Sequence, residues 1–129
     1  MISFEIPLAP ISKKNSMQIL INQKTKKPFI APSQKYLDYE AMAMWYMPRI
    51  STIDCAVNVK CLFYMPTHRR VDLTNLLEAI DDILVKAGIL ADDNFTVIES
   101  HDGSRVLYDK EKPRTEVYIT PAAGNTGNV

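Results

Sequence analysis

The pattern of apolar and polar positions is clearest between residues 73 and 87. Leu73, Leu76, Leu77, Ile80, Ile83, Leu84 and Ala87 recur at helical spacing and form one apolar stripe. At about 100° per residue, Asn75, Glu78, Asp82 and Lys86 fall on a second, polar arc, and Asp72 projects beside its start. The spacing predicts a helix that packs with one side and presents acid with another, ended by Gly88 as a natural C-cap. Elsewhere the pattern favours strands. Ile2 to Ile6 alternates; Met17–Ile21 and Pro28–Ala31 look like the arms of a hairpin, joined by Asn22 to Lys27. Ser33 reads as the N-cap of a helix from Gln34 to about Met47, stopped by Pro48. Its Tyr36, Tyr39, Met42, Met44, Trp45 and Tyr46 are read as core packing. Ile53 to Met65 carries the strongest strand pattern, ended by Pro66. Phe95–Ser100 and Glu116–Ile119 are further strands, Asp102-Gly103-Ser104 is a turn, and residues 121–129 are expected to be disordered. These elements predict an α/β fold: a single domain over residues 1–120, with two main helices packed on a mixed β-sheet.

Composition narrows the class. A chain of 129 residues suits one domain with a single modest core. No apolar run reaches the 18 or so residues of a membrane span, and the first residues lack the basic and apolar regions of a signal peptide. Cys55 and Cys61 have no CxxC spacing and are expected to be unpaired and buried in a reducing compartment. A cytoplasmic protein follows from these readings. Net charge is zero, but it is partitioned. From Asp72 to Asp102 there are eight acidic residues and one basic one, Lys86; the rest carries fourteen Lys and Arg against seven Asp and Glu. Such a partition suits either a protein that attracts a polyanion and neutralises it locally with metal, or a solubilising acidic face opposite a basic one.

Cleaving a phosphodiester requires charge neutralisation and an activated water, and hard divalent cations held by carboxylate oxygens supply both. Asp72, Asp82, Asp92 and Asp93, with Glu78, offer enough oxygens for one or two Mg²⁺ ions. His68 and His101 lack HxxxH or HxH partners, no GxxxxGK[ST] or GxGxxG loop is present, and Ser or Cys nucleophilic catalysis has no local signature. Each acid also has a plainer role. Asp72 can cap the helix, a contribution of roughly 1 kcal/mol; Asp92-Asp93-Asn94 can be a turn; Asp81 and Asp82 can be solvated helix surface. A helix over residues 73–87 is about 21 Å long, and residues 87–93 span at most ~20 Å. Asp93 therefore approaches Asp72 only if residues 88–93 double back beside the helix, whereas a meeting near Glu78 and Asp82 demands less.

Arg70-Val71-Asp72-Leu73-Thr74-Asn75, Asp82 seven residues after Asn75, and Gly88-Ile89-Leu90-Ala91-Asp92-Asp93 together resemble the RusA family of Holliday-junction resolvases. That family pattern is a basic residue, Asp-x-Asp-Asn, a helix with Lys three residues after the Asn, then Asp-Asp. Lys13-Lys14-Asn15 and Pro32-Ser33 are also similar, so the resemblance covers most of residues 1–120. It implies a small homodimeric endonuclease, dependent on Mg²⁺ (with Mn²⁺ as substitute), that cuts four-way DNA junctions symmetrically in recombination and repair of nucleoid DNA. Such proteins are often encoded by phage or prophage. By position Asp72 matches the first catalytic acid and Asp93 the last; Asn75 and Asp92 match as well. Asp82 and Glu78 complete the expected catalytic set, with Asp72, Asp82, Asp92 and Asp93 as metal ligands. Thr74 stands where the pattern has a second acid, and Glu78 where it has lysine. Thr74 still offers a hydroxyl, and Lys14, Lys86, Arg69 or Arg70 can supply the missing cation. DNA contacts are expected from Lys13, Lys14, Lys24, Lys26, Lys27, Arg69 and Arg70, largely to phosphates. Two other readings stay open: a nuclease for other branched DNA, and a junction-binding protein weakened in catalysis.

Overall fold

The computed structural model describes residues 2–14 and 17–122. The chain runs through β1 (Ile2–Ile6), β2 (Met17–Ile21), β3 (Pro28–Pro32), α1 (Gln34–Ala43) with a 3₁₀ turn at Met44–Tyr46, and β4 (Val57–Met65). It continues through α2 (Leu73–Lys86), β5 (Ile98–Ser100), β6 (Arg105–Tyr108) and β7 (Arg114–Pro121). The main sheet is mixed. β1 and β4 flank β7 and are antiparallel to it, while β5 and β6 both lie parallel to β4 along its other edge. β2 and β3 form a separate two-stranded sheet.

β4 alternates strictly, burying Val57, Val59, Cys61 and Phe63 on one face. These residues join Val117 and Ile119 of β7, the α2 stripe and Tyr36, Tyr39 and Ala43 of α1 in one core. The two helices thus cover one face of the sheet. The expected α2 stripe is in place: Leu76, Ile80, Ile83 and Leu84 are buried, and Leu73, Leu77 and Ala87 pack partly buried against them. Ser33 caps α1 as read, its Oγ accepting from the Tyr36 N–H at 3.1 Å.

Several expectations change. α1 is shorter than predicted, because Pro48 biases Met47 to an extended backbone and the last turn tightens to 3₁₀. Met42 on the outer side of α1, and Trp45 and Tyr46 in the 3₁₀ turn, are exposed rather than core residues. Ile53 makes only an isolated bridge to Leu90, so β4 begins at Val57. Residues 95–97 precede the short β5 instead of belonging to it. β6 is an additional strand, and β7 is longer than expected at both ends. Cys61 is buried but Cys55 is exposed. Pro121 closes β7 and Ala122 is buried; the rest of the expected disordered tail lies outside the described residues. No helix among the described residues is long and apolar enough to cross a membrane.

Candidate active site

The end of α2 determines where the later acids go. Gly88 adopts φ +77, the Ile89 N–H donates to the Leu84 carbonyl at 3.0 Å, and the Gly88 N–H to that of Val85 at 3.0 Å. This is the Schellman pairing, and buried Ile89 packs where the motif expects its apolar contact with Leu84. The chain reverses and is pinned beside residue 53, with Ile53 N–H donating to Ile89 O and Ala91 N–H to Ile53 O. Residues 92–96 then form a tight loop. Asp92 accepts the Asp93 N–H at 2.7 Å, and Asn94 accepts the Thr96 N–H at 2.9 Å.

This reversal brings Asp93 against the middle of α2. Asp93, Asn75, Glu78 and Asp82 line one cleft together with Lys13 and Lys14 of the β1–β2 loop. The less demanding of the two meetings is therefore the one observed. Lys14 Nζ lies 3.0 Å from a Glu78 carboxylate oxygen and Lys13 Nζ 3.7 Å from Asp82 Oδ2. Lys86 sits 3.3 Å from Asp82 and 3.2 Å from Glu40 of α1. It braces the two helices instead of lining the cleft.

Asp72 occupies the N-cap position of α2, yet its side chain makes no capping hydrogen bond. Its Oδ2 instead accepts from Asn75 Nδ2 at 3.3 Å; Asn75 lines the cleft, and Asp72 itself does not. The capping alternative is thereby corrected. Asp92 is exposed, and its role in the structure is the turn that presents Asp93; the hydrogen bond it accepts from the Asp93 N–H holds its carboxyl below the usual range.

A second depression adjoins the first, lined by Thr74, Glu78, Asp81, Asp93 and His101. Asp81 and His101 are the two residues that sequence reasoning missed. Asp81 is not solvated surface: its side chain is 14 % exposed and its Oδ2 lies 2.9 Å from His101 Nε2. Burial, opposed by the His101 contact, holds its carboxyl above the ordinary value. For His101, burial lowers the pKa but the Asp81 hydrogen bond and charge outweigh it, leaving a net upward shift. Thr74, Glu78 and Asp81 stand at i, i+4 and i+7, a shared helix face visible in the sequence; nothing local marked His101.

Among the described residues, no three His, Cys, Asp or Glu side chains are gathered closely enough to grip one ion. The donor set nevertheless fits a hard divalent cation. It is all oxygen, from Thr74, Glu78, Asp81 and Asp93, and Asp81 Oδ1 is buried without a hydrogen-bond partner. A bound cation satisfies such an oxygen. Lysines stand as counter-ions to Glu78 and Asp82.

The basic residues are displayed on two other features. In the β2–β3 turn, Asn22 Oδ1 accepts the Lys24 and Thr25 N–H groups at 2.9 and 3.1 Å, and Lys26 takes φ 60. This fixed turn presents exposed Lys24, Lys26 and Lys27. Arg69 and Arg70 are exposed ahead of α2, beside His68 stacked on Tyr108 at 3.9 Å.

Residues 7–120 match the family described as endodeoxyribonuclease RusA. Over 105 residues the chain is 29% identical to the crossover junction endodeoxyribonuclease RusA of Aquifex aeolicus (strain VF5), covering 79% of each chain.

Proposed function

The chain belongs to the RusA family of endodeoxyribonucleases, and from that premise we propose that it resolves four-way DNA junctions by Mg²⁺-dependent, paired symmetric cuts. The observation that carries the reading is the return of Asp93 to the acidic face of α2, into one cleft with Glu78, Asp82 and two lysines. Asp93 and Glu78, which line both depressions, would hold the cation, with Asp82 in one depression and Asp81 and the Thr74 hydroxyl in the other; Asp72 reaches them through Asn75, and Asp92 sets the turn. The bound ion supplies charge neutralisation at the phosphate and a more acidic water. Lys13 and Lys14 balance the acids before substrate arrives and meet the entering phosphate. Lys14 also answers the departure at Glu78: its ammonium lies 3.0 Å from that carboxylate, so a cation the family pattern takes from the helix comes here from a loop. Its place of action is nucleoid DNA in the cytoplasm, during recombination and repair.

A four-way junction is close to two-fold symmetric, and productive resolution needs cuts in opposed strands, which a C₂ dimer supplies. The β2–β3 hairpin is the surface we assign to that dimer. Isolated two-stranded sheets are marginal in water, and this one exposes Ile19, Ile21, Phe29 and Ile30.

Two measurements bear on this reading. Parallel digestion of a junction, a flap and a linear duplex should show cutting of the junction in preference to the other two. Preference for the flap would move the assignment to another branched-DNA nuclease; Mg²⁺-insensitive binding without nicking would make it a junction-binding protein. Replacing Lys24, Lys26 and Lys27 by alanine should lower junction affinity and flatten its log–log salt dependence by about 0.9 for each phosphate the lysines neutralise. An unchanged slope would assign these lysines to a bystander surface.

A further inference from the structure

We infer that His101 is a positioning residue for the metal-holding acids, fixing Asp81 so that its carboxylate joins Glu78 and Asp93 around the divalent cation. The inference rests on the nuclease reading above. His101 Nδ1 lies 2.9 Å from the Val59 carbonyl oxygen. A carbonyl only accepts, so Nδ1 carries hydrogen and the ring orientation is set by β4. Nε2 is thereby turned toward Asp81 Oδ2 at 2.9 Å.

The edge of the sheet is shaped for this contact. Val57 pairs with Ile98 and Asn58 with Ser100, so Glu99 is an extra residue in β5, a bulge of the kind that re-aims side chains. Just beyond, Gly103 at φ +89 lets the chain turn before β6. Asn58 fixes that turn, accepting the Ser100 hydroxyl at 2.6 Å and the Asp102 N–H at 2.7 Å. His101 sits between bulge and turn.

A pair serving only to tie helix to sheet would satisfy the whole carboxylate. Here one oxygen is held by His101 and the other, Oδ1, is buried with no hydrogen-bond partner. A buried carboxylate oxygen left so is costly, and the depression it adjoins also holds Thr74, Glu78 and Asp93. The same contact answers the second departure from the family pattern. Thr74 supplies a hydroxyl where an acid is usual, and Asp81, seven residues further along the same helix face, returns a carboxylate to the depression that Thr74 lines.

The test is Mn²⁺ binding to the full-length protein without DNA, followed by the electron paramagnetic resonance of free Mn²⁺. Asp93→Asn serves as the control for the site itself and should bind Mn²⁺ more weakly. His101→Ala should weaken binding about tenfold or more, the usual effect of removing an orienting partner. His101→Gln, whose amide nitrogen donates near the place of Nε2, should recover most of that loss. Wild-type affinity in His101→Ala alongside a loss in Asp93→Asn would overturn the role of His101 while leaving the site standing. A His101→Gln variant no better than His101→Ala would also overturn it. If Asp93→Asn binds as the wild type does, both readings fall. Should His101→Ala not fold, Asp81→Asn decides: a tenfold loss is expected, and unchanged affinity would overturn the inference.

Discussion

Asp93→Asn is expected to lower Mg²⁺-dependent junction cleavage on the order of 10³-fold or more, since metal assistance contributes several kcal/mol and each 1.36 kcal/mol is tenfold. Junction binding should persist. The residue reaches the cleft only because the Gly88 reversal carries it there, and its backbone is held by Asp92, whose contact with the Asp93 N–H the substitution leaves alone. Fold and loop geometry are therefore retained while one carboxylate oxygen is exchanged for an amide. Stability should hold or rise, because the Asp93 charge opposes ionisation of Asp81 across the cleft. Asp72→Asn should act in the same direction. A capping Asp72 would tolerate Asn with little loss, but its side chain makes no cap bond, so a loss of cutting would be a loss of chemistry. Single-turnover cleavage with a gel-shift assay in EDTA and a thermal melt separates these effects. Near wild-type cutting by either variant would remove that residue from the site.

The second large effect concerns self-association. Ile19 and Ile30 face each other across β2 and β3 and are 74% and 70% exposed. Alternation puts Met17 and Ile21 on the same face of the hairpin, so the apolar surface is continuous. Exchanging Ile19 and Ile30 for aspartate would bury charge without a partner if a second copy covers this face. The double variant should sediment as a monomer where the wild type sediments as a dimer, and should nick one strand without resolving the junction. A double variant that remains dimeric would place the interface elsewhere.

Much of this arrangement is legible in the sequence because it depends on local rules. The apolar stripe of α2, Ser33 as a cap, Gly88 as a stop and the lysine-bearing hairpin turn each follow from spacing and residue type. The reach of residues 87–93 already favours Glu78 and Asp82 over Asp72 as neighbours of Asp93. What stays hidden depends on partners far away in the chain. β6 is four residues long and, among the described residues, pairs with one edge of β4 alone, so it carries no alternation to read. Asp81 resembles any surface acid until His101, twenty residues later, is brought beside it by a bulge. Lys13 and Lys14 read as DNA contacts, and only the fold shows them over Glu78 and Asp82. Trp45 illustrates the reverse case: its residue type suggests a core, while the short α1 leaves it 88% exposed.

The central claim, that this cleft performs Mg²⁺-dependent resolution, is tested most directly on a synthetic four-way junction labelled on each strand in turn. In Mg²⁺ the wild-type protein should cut two opposed strands at symmetric positions, releasing nicked linear duplexes, and EDTA should abolish both cuts. Cutting that persists in EDTA, or an intact junction held bound in Mg²⁺, would contradict it.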